Sequence, residues 1–449
     1  MRTQSILLSG AAAGALIALS FGGAADAAPK KHAAHAAAVA PVTREELEAL
    51  EAKVQFLTAR LDEQSAISRD AQAQLRLTQE NATQAQNSAA MAVATANADA
   101  AKIETIPTAV KTAVAANKPA AGWFDNTSVN GRMYYNMSSV EIKKDGVRQS
   151  PSGFGFDVKR FYVGVDHKFN DVYSANVTTD FNYVAADGET QVFIKKAFLQ
   201  AKYSDALTLQ AGATDLPWIP FMENLYGNRY VEQTIVDRLK YGTSSDWGLH
   251  ALGKFGDKGM FQYQVSVVDG AGYKAPLRSK TVDVEGRFSA NVDKLTLAVG
   301  GYYGKLGKSN VGVVTPHDAS RFTAAAVWVD PMFRIGGEYF QATNWNNVTT
   351  VASDKSEGYS IFGSYYFAPK FSVFGNWQYV QPSKTIKPST KDNYFNVGVS
   401  YSPTKIVDFS LVYKRDKADN GIISTGNGNV GGLSTGTYDE VGVFSQLRW

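Results

Sequence analysis

The sequence predicts an all-β fold, a sixteen-stranded antiparallel transmembrane β-barrel preceded by a signal peptide and an α-helical coiled coil. Three observations predict it. The composition changes abruptly at Trp123, from Ala, Gln, Glu and Asn to Tyr, Phe, Gly and Val. Beyond that point, short runs alternate apolar and polar residues, the period of a strand with two different faces. The connections between these runs are also sorted, short at one end and long at the other, as in barrels of outer membranes.

The N-terminus carries Arg2, an apolar run from Ile6 to Phe21, and the small-residue site Ala25-Asp26-Ala27. This is the order of a secretory leader, and the run is short for a spanning helix. We place the signal peptide at 1–27 and a disordered tail at 28–42. The coiled coil follows at 43–105, then a linker at 106–121 and the barrel at 122–449. Thr43 and Glu46 form a capping box. Leu47, Leu50, Val54, Leu57 and Leu61 then recur at heptad spacing, the seam of a coiled coil between chains. Packing of this helix on its own barrel is the alternative. Pro107 and Pro119 mark the linker.

The strands lie near 128–138, 157–169, 172–183, 191–203, 206–214, 244–255, 259–269, 281–291, 293–304, 319–329, 332–342, 356–367, 370–380, 392–402, 406–416 and 437–449. Their mean length is about eleven residues, near that of a tilted membrane-crossing strand. Asn170-Asp171, Ser204-Asp205 and Ala368-Pro369 exemplify the short turns, and Asp215–Thr243 is the longest loop. Phe371, Val373, Gly375, Trp377 and Tyr379 share one face, against Ser372, Phe374, Asn376 and Gln378 on the other. The charged set cannot fill a dry interior without heavy desolvation, so the apolar set is assigned to lipid and the charged set to water. Alternation is broken at Ile194 and Lys195. Outward aromatics gather in two bands, one near the short turns and one near the long loops, as interfacial girdles do.

This assignment places Arg132, Arg160, Lys196, Lys202, Lys254, Arg287, Arg334, Lys414 and Arg448 on the inner wall. Asp166, Asp180, Asp246, Asp283, Glu285, Glu338 and Asp408 join them there. The longest loop carries Asp215, Glu223, Arg229, Glu232, Asp237, Arg238 and Lys240. Folded inward, such a nearly balanced set would select by charge in a narrow water path. The outer loops add Lys143, Lys144, Arg148, Lys274, Arg278, Lys280, Lys384, Lys387 and Lys391, which suit either steering of anions or binding of lipopolysaccharide phosphates.

Several functions are excluded or unsupported. The net charge of +3 gives no basis for nucleic-acid binding, and the absence of Cys removes thiolate metal sites and disulfides. No His stands at metal-ligand spacing with a partner, and no cofactor is expected. Gly300 to Lys305 lacks the spacing and the Ser/Thr of a phosphate loop. A barrel enzyme would need a Ser/His or acid pair at the rim, and none is visible, so no enzymatic activity is expected.

Lys159-Arg160-Phe161-Tyr162-Val163-Gly164, Lys196-Ala197-Phe198-Leu199-Gln200 and Leu209-Gln210-Ala211-Gly212 resemble the phosphate-selective porin superfamily, in the dicarboxylate-channel branch that carries an N-terminal coiled coil. The terminal Phe444, Leu447 and Trp449 resemble the aromatic-ended signal read by the barrel insertion machinery. The resemblance covers residues 123–449. It implies a homotrimer in the bacterial outer membrane, with the coiled coil in the periplasm. It also implies passive diffusion of small hydrophilic solutes through a barrel narrowed by the third outer loop, and the nine bases against seven acids on the inner wall give a slight lean toward anions. Thr214-Asp215-Leu216-Pro217-Trp218 departs from the family, which has a basic residue beside a Pro-Phe pair, so phosphate selectivity is not carried over. A tether from the membrane to peptidoglycan through the coiled coil is the competing role.

Overall fold

A computed structural model describes residues 44–104, 122–184 and 189–449. The chain divides into an N-terminal unit and a barrel unit. Within the first, α1 (Arg44–Glu104) is a continuous helix, about 90 Å long at 1.5 Å per residue. Leu47, Leu50, Val54, Leu57 and Leu61 are all exposed on it. The predicted leader, tail, linker and capping residue Thr43 lie outside the described residues.

The barrel strands are β1 (Thr127–Lys144), β2 (Gly153–Lys168), β3 (Tyr173–Val184), β4 (Glu189–Lys202), β5 (Thr208–Asp215), β6 (Ser245–Phe255), β7 (Phe261–Val268) and β8 (Asp283–Val292). They continue as β9 (Leu295–Gly304), β10 (Ala319–Val329), β11 (Phe333–Thr343), β12 (Lys355–Ala368), β13 (Phe371–Gln381), β14 (Lys391–Thr404), β15 (Val407–Asp419) and β16 (Thr435–Arg448). Each pairs antiparallel with its sequence neighbours, and β16 returns to β1 from Arg132↔Arg448 to Lys144↔Gly436. Closure leaves no strand at a free edge of the sheet, although β2–β3 pairing covers only Val163–Lys168 and β4–β5 pairing only Ala197–Lys202. All sixteen predicted strands are present. At the seam, β1, β2, β15 and β16 run beyond the predicted ends, because alternation continues through Val140-Glu141-Ile142-Lys143 and supports further pairing.

The two faces separate as predicted. Phe371 and Trp377 are 41% and 36% exposed, whereas Ser372 and Gln378 are 7% and 0% exposed. At the short-turn end, Phe255, Phe261, Phe371 and Tyr401 form stacked and tilted pairs with neighbours on the outer face. Trp449 lies over Gly131, where any Cβ would fall within 2.1 Å of its ring, and their backbones exchange hydrogen bonds. Gly131 thus makes room for the last side chain at the closing seam.

Two β-bulges correct the strict alternation. Tyr134 pairs with Arg160 while Tyr135 pairs with Val158, so Lys159 is the extra residue. Thr178 pairs with Lys196 while Thr179 pairs with Ile194, so Lys195 is extra. A bulge re-aims its added side chain, and both lysines turn inward with the cation that follows. Lys159 reaches Glu440 at 3.9 Å, and Lys195 donates to Ser244 at 2.7 Å.

The interior is also drier than the sequence implied. Trp218, Ile219, Met222, Tyr226, Ile235 and Val236 from the longest loop pack against Tyr302, Phe340, Phe362 and Val380 of the wall. Much of the inner face of β8 to β16 therefore meets an apolar core instead of bulk water. Charged groups on that face, including Asp392, Lys414 and Asp416, are fully buried. The reason is the amphipathic loop, whose large apolar side chains need cover as much as those of any soluble core.

Candidate functional site

The loop Leu216–Ser244 leaves β5 and returns to β6 through two short helices, α2 (Ile219–Tyr226) and α3 (Ile235–Arg238). Pro220 sits in the first turn of α2, where its missing N–H costs nothing. Gly227 ends α2 with φ 80°, and its N–H bonds the Glu223 carbonyl at 2.9 Å. A side chain at 227 would collide with the Arg334 guanidinium, so glycine serves both the left-handed turn and the close approach.

Polar bonds fix the loop along the wall from β8 round to β15. Trp218 donates through its indole N–H to Glu338 at 2.6 Å and through its backbone to Glu285 at 3.1 Å. Arg287 donates to the Pro217 carbonyl at 2.9 Å, and Arg334 to that of Tyr226 at 2.9 Å. The Tyr230 hydroxyl meets Ser410 at 2.6 Å. The firmest fastening is Arg238, which is 0% exposed. It pairs with Asp392, with Asp416 at 2.7 Å and with Gln378 at 2.7 Å, over the face of Tyr394. Buried charges survive only when paired in this way.

The six predicted loop residues therefore divide. Glu223, Arg229 and Asp237 form one cluster, in which Arg229 bonds both acids. Glu223 and Arg229 line an open cavity of about 340 Å³ with Arg132, Arg334 and Arg448. Glu232 and Arg238 are buried fasteners. Glu232 meets Lys414 at 3.5 Å. Lys240 is exposed and donates to Ser424 at 2.6 Å.

The wall residues divide as well. A larger cavity, about 810 Å³, lies between the loop and the wall from β1 to β8. Arg132, Lys195, Lys196, Arg287 and Arg448 border it, together with Asp166, Asp215 and Glu223. Its acids are engaged. Asp215 accepts from Lys196 at 2.5 Å, Asp166 from Asn130 and Asn176, and Glu223 from Arg229. Among the described residues, Arg132, Lys195 and Arg287 have no carboxylate at ion-pair distance. Arg287 is only 8% exposed, with its guanidinium over the Phe221 ring. Arg160 pairs with Asp180 at 3.4 Å. Lys202 is exposed near the short turns, paired to Asp205, and Lys254 is likewise exposed at that rim.

Of the terminal aromatics, Trp449 faces outward, whereas Phe444 is buried inside the barrel beneath Lys414. Lys195 was missed as a wall residue, and the broken alternation at Ile194-Lys195 was its signal. No group of acids and histidines able to hold a metal occurs among the described residues.

Several solved structures share this architecture. The anion-selective porin from Comamonas acidovorans superposes with a TM-score of 0.53 at 12% identity, covering 72% of this chain and 99% of that one. The outer-membrane channel DcaP of Acinetobacter baumannii gives 0.51 at 12% identity, with 72% and 97% covered. The trimer form of OmpT, an outer-membrane protein of Vibrio cholerae, gives 0.51 at 13% identity, with 72% and 99% covered. No family model and no curated protein matches the sequence. The barrel unit therefore has the porin fold.

Proposed function

We propose that the chain is an outer-membrane porin that passes small hydrophilic solutes, with a lean toward anions, along one side of its barrel. The observation that carries this reading is the division of the interior. The long loop is fastened to the β8–β16 side by buried polar bonds and an apolar core, and the larger charged open space remains on the β1–β8 side, with a smaller one against β11–β16. Fixed charges in a narrow aqueous path select by sign. Here Asp215 and Glu223 are paired with Lys196 and Arg229, and Asp166 keeps its charge between two Asn amides, while Arg132, Lys195 and Arg287 have no carboxylate partner. Glu223, Arg229 and Asp237 form the loop's face of the constriction.

The exposed leucine seam of α1 supports a coiled coil between chains, placed in the periplasm. It accords with a homotrimer, and the OmpT neighbour is itself described in a trimer form. The basic outer loops suit lipopolysaccharide phosphates, and peptidoglycan remains a partner to be tested for the helix. Single-channel recording of purified protein in a planar bilayer under a salt gradient tests the central reading. An anion-leaning reversal potential is expected. Absence of conductance would overturn the channel.

A further inference from the structure

A second outer segment also enters the barrel. Residues between β15 and β16 form a small hairpin, Ile422–Thr425 paired with Gly428–Gly431. Ile423 and Val430 are buried in the same apolar core as the long loop. At the tip, Asn427 donates to Glu232 at 3.1 Å, and Ser424 accepts from Lys240 at 2.6 Å. Gly426 lies so close to the loop that an added Cβ would fall 1.9 Å from Gln233 Oε1. The base is held from the other side of the seam. Asp145, after β1, accepts from the backbone N–H groups of Leu433, Ser434 and Thr435 at 2.8 to 3.1 Å.

We infer that this hairpin is a second element of the constriction, a latch that holds the long loop against the β15–β16 wall from the extracellular side. The inference rests on the reading that the long loop narrows a channel. Glu232 is the positioning residue at the junction, since it meets the wall through Lys414 and the hairpin through Asn427. The contacts are short and local, and most come from the hairpin tip. Removal of the tip therefore takes away the contacts at Glu232, Gln233 and Lys240 and loosens that stretch, while the Arg238 fastening and all sixteen wall ladders stay in place.

Gly421 and Gly431 are in backbone contact, so excision of residues 422–430 leaves ends that can be joined directly. In planar bilayers, the excised protein should show higher single-channel conductance and more open-channel noise than the parent, with the folded barrel's mobility on unheated gels retained. Unchanged conductance and noise in a folded excised barrel would overturn the latch. A second measurement is independent of conductance. The chain has no Cys, so Lys240→Cys with Ser424→Cys gives a unique pair for a short bismaleimide in native membranes. Crosslinking within one chain is expected. Its absence, while each single variant still reacts with a monofunctional maleimide, would refute the contact. A parent that fails to conduct but crosslinks would sink the channel reading alone.

Discussion

Arg238→Met should release the long loop while leaving the barrel closed. The methionine fills most of the arginine's volume but removes the partner of Asp392 and Asp416, both fully buried. Breaking a buried ion pair by deleting one member costs about 3–5 kcal/mol, mainly because a charge is left uncompensated. The docked loop should thus lose a factor of roughly 10² to several times 10³ in its docking equilibrium, at about 1.4 kcal/mol per tenfold. That loss falls on the loop, since the antiparallel ladders of β13, β14 and β15 do not pass through Arg238. Planar-bilayer recording should show frequent transitions between conductance levels, and unheated gels should still show a folded barrel. Adding Asp392→Asn and Asp416→Asn should quiet the channel again, because the stranded charges are gone. The reasoning would be refuted by steady, parent-like currents in Arg238→Met, or by a triple variant noisier than the single one.

Other outcomes follow from the same contacts. Lys195→Gln should move the reversal potential away from anions. Lys202→Gln, at the exposed rim, should move it far less, and equal shifts would remove the special role of the bulge. Gly131→Val should displace Trp449 from the seam and lower the yield of assembled barrel, measured by heat-modifiable mobility in outer-membrane fractions; normal yield would contradict the fit. The Asp145 carboxyl is held below the usual carboxylate range by the backbone N–H groups of Ser434, Leu433 and Thr435. Because its folded value is depressed, its contribution is present above the ordinary aspartate range and lost as pH falls through the depressed value. Protease resistance of the 420–434 segment should therefore hold from pH 7 to pH 4 in the parent and be reduced throughout in Asp145→Ala.

The strand count, the order of short and long connections and the two faces were all legible along the chain. Each is a local property: the side-chain period of a strand is two, a turn must be polar and short, and a lipid-facing side chain must be apolar. The position and length of the third outer loop were legible for the same reason. The division of labour within that loop was not. Glu232 and Arg238 look like any other loop charges in sequence, and only the wall residues opposite them, far away along the chain, make them fasteners. Arg238 meets Asp392 and Asp416 because the barrel closes. Tyr302, Phe340, Phe362 and Phe444 sit at inward positions that alternation assigns to water, and they are dry because the loop covers them.

Lys159 and Lys195 lie between these cases. The doublets Lys159-Arg160 and Lys195-Lys196 disturb the alternation visibly, yet a disturbed pattern does not say which residue is extra or where it points. The register with β1 and β3 decides both. The sequence by itself determined that this chain makes a closed sheet with an oily exterior, since that follows from neighbours one and two residues apart. Tertiary structure alone decided which side of the barrel is filled and which charges remain unpaired, because those depend on groups brought together only when the sheet closes on its own loop.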